Sequence, residues 1–135
     1  MTVKYPDLRR ECIGYMRGLA DPEYQERVWI KGIAPPNYVD SFGDTVGFFF
    51  DGCTLGEDVE GCIGEILEDA SEAQAVREVM DGLHLLLKKY GKRLKDKEYM
   101  AKPEFAAIVQ AARAACNTIR GASTETPPDR DIRTT

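Results

Sequence analysis

The sequence predicts an all-α protein, a bundle of five or six helices followed by a disordered C-terminal tail. Three observations favour this fold: apolar residues recur at helical spacing, capping residues bracket the segments that carry them, and no convincing β-hairpin pattern occurs. A chain of 135 residues, 43% of them hydrophobic and 30% charged, has the size of one domain with its own core. We therefore predict a helical domain over 1–121 and, because it lacks a core pattern, a disordered tail over 122–135.

Two helices are predicted before residue 33. The first covers 7–19, where Pro6 supplies a favourable start and apolar side chains follow at helical spacing. The second begins at Asp21-Pro22-Glu23, which combines an N-cap, a proline at the first helical position and an acid in the first turn. It should end near Gly32.

The middle of the chain is less regular. A third helix is predicted over 41–50, with Asp40 or Ser41 as its cap, although Phe48-Phe49-Phe50 also has the propensity of a strand. Residues 51–61 are acidic and glycine-rich, which indicates a loop. A short helix over 58–68 is predicted from its apolar positions, Val59, Ile63, Ile66 and Leu67.

The longest helix is predicted over 71–90. Ser71 and Gln74 have the spacing of a capping box, an apolar stripe runs through the segment, and Gly91 follows it. Asp96 is then expected to start a single turn. The last helix should open at Lys102-Pro103-Glu104 and close at Gly121.

Charge is segregated along the chain. Residues 36–82 hold twelve acidic side chains and one basic one, a net charge of −11, whereas residues 83–121 hold nine basic and three acidic ones, a net charge of +6. A field of one sign attracts partners of the opposite sign and speeds their encounter. We therefore predict a surface for a basic protein partner, formed by Trp29, Asp40, Asp44, Asp51, Glu57, Asp58 and Glu60. Pairing between the two charged blocks, or a merely solvated face, would account for the same pattern.

No catalytic or cofactor-binding pattern is present. The single histidine, His84, has Asp81 three residues before it, but one such pair is neither a catalytic nor a di-iron arrangement. A calcium loop counted from Asp51 has Gly56 in the right place but lacks oxygen ligands at the third, fifth and twelfth positions. We expect no enzymatic activity, no cofactor and no metal site.

Several further expectations concern single residues. Leu85 points away from the apolar stripe of its helix, so it is either buried on a second side, which we favour, or part of a homodimer interface. Cys12 and Cys116 should be core residues, whereas Cys53 and Cys62 should be more exposed. The basic segment 88–102 offers a nucleic-acid surface as a less favoured alternative, since the net charge is −5. No apolar run reaches the roughly 20 residues of a membrane span, and no signal peptide is visible, so we predict a cytoplasmic protein.

Several motifs together resemble a family of small, acidic, uncharacterised bacterial proteins. They are Asp21-Pro22-x-Tyr24-x-x-x-Val28-Trp29, Asp40-x-Phe42, Phe48-x-Phe50-Asp51, Ile63-Gly64, Tyr99-Met100 and Pro103-x-Phe105-x-x-Ile108-Val109-x-x-Ala112, so the resemblance covers about residues 8–120. That family has no established activity to transfer. Its general character is similar to that of immunity proteins, which are small, cytosolic and acidic and bind the toxins encoded beside them. The resemblance implies an inhibitor of a basic toxin, such as a nuclease or deaminase. The acids of this chain at 51–60 would then compete with nucleic-acid phosphate for the toxin.

Overall fold

A computed structural model describes residues 3–52 and 54–122, and its architecture confirms the all-α prediction. Only an isolated bridge between Ile63 and Leu67 departs from helices, turns and loops in these ranges. The helices are α1 (Pro6–Leu19), α2 (Pro22–Tyr24, continuing as a π-helix over Gln25–Ile30), α3 (Phe42–Phe50), α4 (Ala70–Tyr90), α5 (Asp96–Met100) and α6 (Pro103–Thr118), with 3₁₀ turns at Thr54–Gly56 and Glu60–Cys62.

The core lies between α4, α6 and α1. The largest interface joins α4 to α6, and α1 packs on the other side of α6. Gly82 permits the close approach of α4, because a Cβ at this position would lie 3.1 Å from Cγ1 of Ile108. Leu83 and Leu86 are fully buried in the same interface region, as is Ala112 of α6. The predicted apolar stripe of the 71–90 segment therefore does face the core.

The ends of the first three helices follow their capping residues. Asp21 accepts a hydrogen bond from the Tyr24 N–H at 3.1 Å, and Ser41 accepts one from the Asp44 N–H at 3.0 Å. Residues 48–50 are helical, so the strand alternative is wrong. Gln25, which is 1% exposed, donates to the carbonyl oxygens of the last turn of α1 and fixes the corner between α1 and α2.

The predicted capping box of α4 is wrong. Its N-cap is Asp69, whose carboxylate accepts a hydrogen bond from the Glu72 N–H at 3.0 Å, and Gln74 is exposed. The helix consequently begins one residue earlier than the 71–90 segment.

The predicted helix over 58–68 is also wrong. Only Glu60–Cys62 forms a short 3₁₀ turn, after which Gly64 adopts a left-handed φ of 90°. Two hydrogen bonds from the N-terminal segment, Lys4 N–H to Gly64 O and Tyr5 N–H to Glu65 O, hold this loop. The bond from Lys4 uses the Gly64 carbonyl, which a helix over 58–68 would need as the acceptor for the Glu68 N–H.

Burial confirms some of the single-residue expectations and corrects others. Cys12 and Cys116 are buried as predicted, but Cys62 is also buried and Leu85 is 58% exposed rather than buried. Ala122 is fully buried, so packing extends one residue into the predicted tail. The rest of that tail, residues 123–135, and Cys53 lie outside the described residues.

Candidate functional site

Asp40 and Trp29 lie inside the protein and not on its surface. Asp40 is 5% exposed and Trp29 is 9% exposed. The indole N–H of Trp29 donates to Asp40 Oδ2 at 3.0 Å. The Tyr24 hydroxyl donates to the same oxygen at 2.6 Å and lies 2.7 Å from the Tyr38 hydroxyl. This network ties the π-helix to the loop before α3. The expected surface position of Asp40 and Trp29 is therefore wrong, because both are buried in this network.

A second set of acids, towards the C-terminal end of the acidic block, also forms ion pairs and hydrogen bonds within the protein. Glu72 is fully buried and receives two hydrogen bonds from the Arg9 guanidinium, at 2.8 and 2.9 Å. It also accepts from the N–H groups of Glu68 and Arg120, at 2.8 and 3.0 Å. Burial by itself would raise the pKa of Glu72, but these hydrogen bonds outweigh it and the pKa is lowered. Glu72 is thus a buried anion that joins α4 to both ends of the domain.

The Arg120 side chain extends this cluster at the surface. Its guanidinium pairs with Glu68 and with Asp69, each at 2.9 Å. The Asp69 pKa is lowered by its hydrogen bond from the Glu72 N–H and then by Arg120. Pairing between the acidic and basic blocks therefore occurs at residues 68–72.

The acids of residues 44–58 are placed differently. Asp44, Asp51, Glu57 and Asp58 are exposed, and none of them forms an ion pair within 3–52 and 54–122. Asp58 uses one oxygen to accept the Gly61 N–H at 3.1 Å. Glu60, by contrast, pairs with Arg77. We call Asp44, Asp51, Glu57 and Asp58 the acidic surface.

A small cleft of about 310 Å³ lies beside the acidic surface. Its lining includes Glu57 and Asp58, Asp81 and His84 of α4, and Arg77, which pairs with Glu60. Because Asp81 is also exposed, the cleft adds a further acid to the negative field of this face.

A larger groove, of about 700 Å³, lies between α3, the C-terminal half of α4 and the segment that leads into α5. Most of its lining is apolar or aromatic, and its charged residues are Asp51, Lys88, Lys92 and Asp96. His84 and Phe50 line both this groove and the small cleft, so the two cavities adjoin. The remaining lining residues are Phe42, Gly43, Val46, Gly47, Leu87, Leu94 and Tyr99.

Asp96 forms the end of this groove nearest the start of α3. It accepts a hydrogen bond from the Phe42 N–H at 3.1 Å, one of the unsatisfied donors at that helix start. Burial raises the pKa of Asp96, and the charges of Asp40 and Asp44 add to the effect against the opposing hydrogen bond from Phe42. The carboxyl group thus serves mainly to anchor α5 to α3.

The basic segment 88–102 is partly occupied by contacts within the protein. Lys89 pairs with Glu104 at 2.7 Å, and this contact is the main cause that lowers the pKa of Glu104 to about 2. Lys102 lies over the Tyr90 ring, 4.7 Å from its centroid. Lys88 and Lys92 are exposed and form no ion pair in the described part of the chain. The nucleic-acid alternative therefore depends on a smaller set of lysines than the sequence suggests, and it stays a prediction.

The sequence analysis overlooked the groove and its two glycines. Gly43 and Gly47 are four residues apart on α3, and that spacing places both on one face of a helix. Glycine is less favourable than alanine inside a helix, but together these two residues open the surface of α3. His84, the single histidine of the chain, is exposed and lines both cavities.

A metal centre finds no support in the part of the chain that is described, where no group of three or more His, Cys, Asp or Glu side chains is placed to hold an ion. Nor is any described helix long and apolar enough to cross a membrane. The expectations of no cofactor and no enzymatic activity stay predictions.

Comparison with known families gives one match. The model of Domain of unknown function (DUF7945) matches residues 3–127, which is nearly the whole chain. The protein belongs to this family. Searches of curated proteins and of solved structures found no match. Membership agrees with the resemblance to uncharacterised proteins and leaves the activity to be argued from the site.

Proposed function

We propose that this DUF7945 protein is a non-enzymatic binding protein whose acidic surface receives a basic protein, in the manner of an immunity-type inhibitor. The observation that carries this proposal is the difference between two sets of acids. Residues 68–72 are neutralised by Arg9 and Arg120, whereas Asp44, Asp51, Glu57 and Asp58 are exposed without an ion pair in the described residues. The second set leaves a negative field available to a partner.

The chemistry of a basic toxin fits such a field. Enzymes that act on nucleic acid present Lys and Arg side chains to phosphate groups. Carboxylates at the acidic surface would pair with the same cations and compete with the substrate. The buried network of Asp40, Trp29 and Tyr24 supports this role, because it fixes the loop that leads into α3. Asp44 lies in the first turn of that helix.

The proposal is tested by capture from the source lysate with matched charge variants. We expect the immobilised protein to retain one basic protein that is released only at high salt. Asp51→Lys with Glu57→Lys should weaken that complex by about tenfold or more, because like charges across an interface are strongly unfavourable. Glu23→Lys with Glu26→Lys changes the net charge equally at exposed positions outside the acidic surface and should leave binding nearly unchanged. Equal loss in both variants, or retention in both, would contradict the proposal.

A second candidate is a homodimeric structural module, and the exposure of Leu85 favours it. Leu85 is 58% exposed on the outward face of α4, with Glu78 and Asp81 on its N-terminal side and Lys88 on its C-terminal side. Two antiparallel copies of α4 would place those acids opposite the lysine of the partner, which is the self-complementarity a two-fold interface requires.

Light scattering tests this second candidate by measuring the oligomeric state. A dimer at micromolar concentration that becomes a monomer on Leu85→Asp is the expected result for the module, and Glu23→Lys serves as the surface control. A monomer at 100-fold higher concentration would eliminate the homodimer.

A further inference from the structure

The groove beside α3 is the feature of this fold that internal packing does not explain. Gly43 and Gly47 sit inside a helix, where glycine is less favourable than alanine. A Cβ added at Gly47 would meet no atom within 4 Å, and one added at Gly43 would meet only Ser41 Oγ, at 3.6 Å. Neither glycine is therefore needed for close packing within the chain, and both leave open space above the helix.

The shape and lining of that space are those of a small-molecule site. A volume of about 700 Å³ lies within the range of ligand pockets, and α3, α4 and the segment before α5 all contribute to its lining. Phe42, Phe50 and Tyr99 supply aromatic surface, and Val46, Leu87 and Leu94 supply aliphatic surface. A docking surface for a helix would instead present a long open face, which the nine-residue α3 does not offer.

The charged residues of the groove indicate the polarity of its occupant. Lys88 and Lys92 are exposed at its edge and form no ion pair in the described residues. Of the two acids, Asp96 already accepts the Phe42 N–H, and Asp51 follows the C-terminal end of α3. Asp96 is thus occupied within the protein, whereas Lys88, Lys92 and Asp51 form no ion pair in the described residues. These three groups carry a net charge of +1, which favours an anionic group next to an apolar body.

We propose that this groove binds a small amphipathic anion, with its apolar body over Gly43 and Gly47 and its carboxylate or sulfonate beside Lys88 and Lys92. The groove shares Asp51 with the acidic surface, but the anion would pair with Lys88 and Lys92, so its binding does not require the protein partner proposed above. A ligand here would contact His84 and Phe50, which also line the cleft next to the acidic surface.

The test uses two fluorescent probes that share one apolar body. 8-Anilinonaphthalene-1-sulfonate carries a sulfonate, and N-phenyl-1-naphthylamine is its uncharged counterpart. We expect the wild-type protein to bind one molecule of the sulfonate per chain and to prefer it over the uncharged probe. Absence of saturable binding by either probe, or equal affinity for the two, would overturn the proposal.

Substitutions that place a larger side chain in the groove test whether the probe binds there. Gly47→Leu should reduce the affinity for both probes by at least about tenfold, because a leucine would occupy the space that the apolar body needs. The melting temperature should be unchanged or higher, since the position is an open helical one. Gly43→Leu is a second filling variant, and Ala107→Leu adds a leucine at an exposed site on α6. Binding that persists in both filling variants, or that Ala107→Leu removes equally, would show that the probe lies elsewhere.

Neutralising the lysines tests the anionic part of the proposal. Lys88→Gln with Lys92→Gln should weaken binding of the sulfonate by about threefold to tenfold, the size expected for two exposed ion pairs. Binding of the uncharged probe should not change. Lys31→Gln with Lys97→Gln removes the same charge outside the groove and should affect neither probe. A loss of sulfonate binding equal to that in this control would mean a general charge effect and would contradict the site.

Discussion

Replacing Glu72 with alanine should lower the free energy of unfolding by about 3–5 kcal/mol, the largest single effect we expect from any acid in this chain. The carboxylate is fully buried and is the anion that Arg9 and two backbone N–H groups share. Its removal leaves the Arg9 guanidinium, whose side chain is only 11% exposed, without its closest counter-charge. Urea unfolding monitored by circular dichroism at pH 7 measures the change.

The control for this substitution is Glu78→Ala on the same helix. Glu78 is exposed, so its loss should change the stability by no more than about 0.5 kcal/mol. Arg9→Met should be destabilising by a similar amount to Glu72→Ala, because it leaves the buried anion with only the more distant Arg120, at 3.9 Å, as a counter-charge. The double variant Arg9→Met with Glu72→Ala should cost clearly less than the sum of the two single changes. Additive losses would show that the two residues act independently.

This ion pair marks the limit of what the sequence predicts. Glu72 precedes Val76 by four residues and Val79 by seven, so helical spacing places it on the buried stripe of α4. Nothing local indicates its partner, since Arg9 is 63 residues away. An acid on an apolar stripe can be recognised from spacing, but its role depends on a contact that only the fold reveals.

The secondary-structure elements likewise divide into those that local sequence signals predict and those that depend on long-range contacts. α1, α3 and α6 follow from proline or capping residues and from apolar spacing, which are local signals. Residues 58–68 have the apolar spacing of a helix, yet the backbone of Lys4 and Tyr5 binds the loop at 64–65 instead. Long-range hydrogen bonds prevailed over a weak local preference that Gly61 and Gly64 had already reduced.

The acids of the candidate site likewise divide into exposed ones, which the sequence predicts, and a buried one, which it does not. The charge count assigned four exposed acids to a partner surface, Asp44, Asp51, Glu57 and Asp58, and their role in binding stays a prediction. It also included Asp40, which is buried, because a count of charges contains no information about which acid has the Tyr24 and Trp29 donors next to it. Asp40 accepts these hydrogen bonds inside the domain and holds the loop that leads into α3.

The aromatic cluster around Phe42 carries the second large stability effect. Phe42 is 1% exposed, and its ring centroid lies 4.9 Å from that of Tyr99, 5.7 Å from that of Phe105 and 5.9 Å from that of Trp29. The residue therefore joins four segments: the π-helix, α3, α5 and α6. Phe42→Ala should lower the free energy of unfolding by about 3–5 kcal/mol, the usual cost of removing a fully buried aromatic ring.

Trp29 provides a specific readout of this change, because it is the only tryptophan of the chain and contacts Phe42 directly. Its fluorescence and near-UV circular dichroism should change in Phe42→Ala even before unfolding begins. Phe50→Ala at the other end of α3 is the matched control: Phe50 is half-buried, so its loss should cost about 1 kcal/mol. Equal costs at both ends would mean that α3 is held along its whole length, and not mainly at the end that fixes one side of the groove.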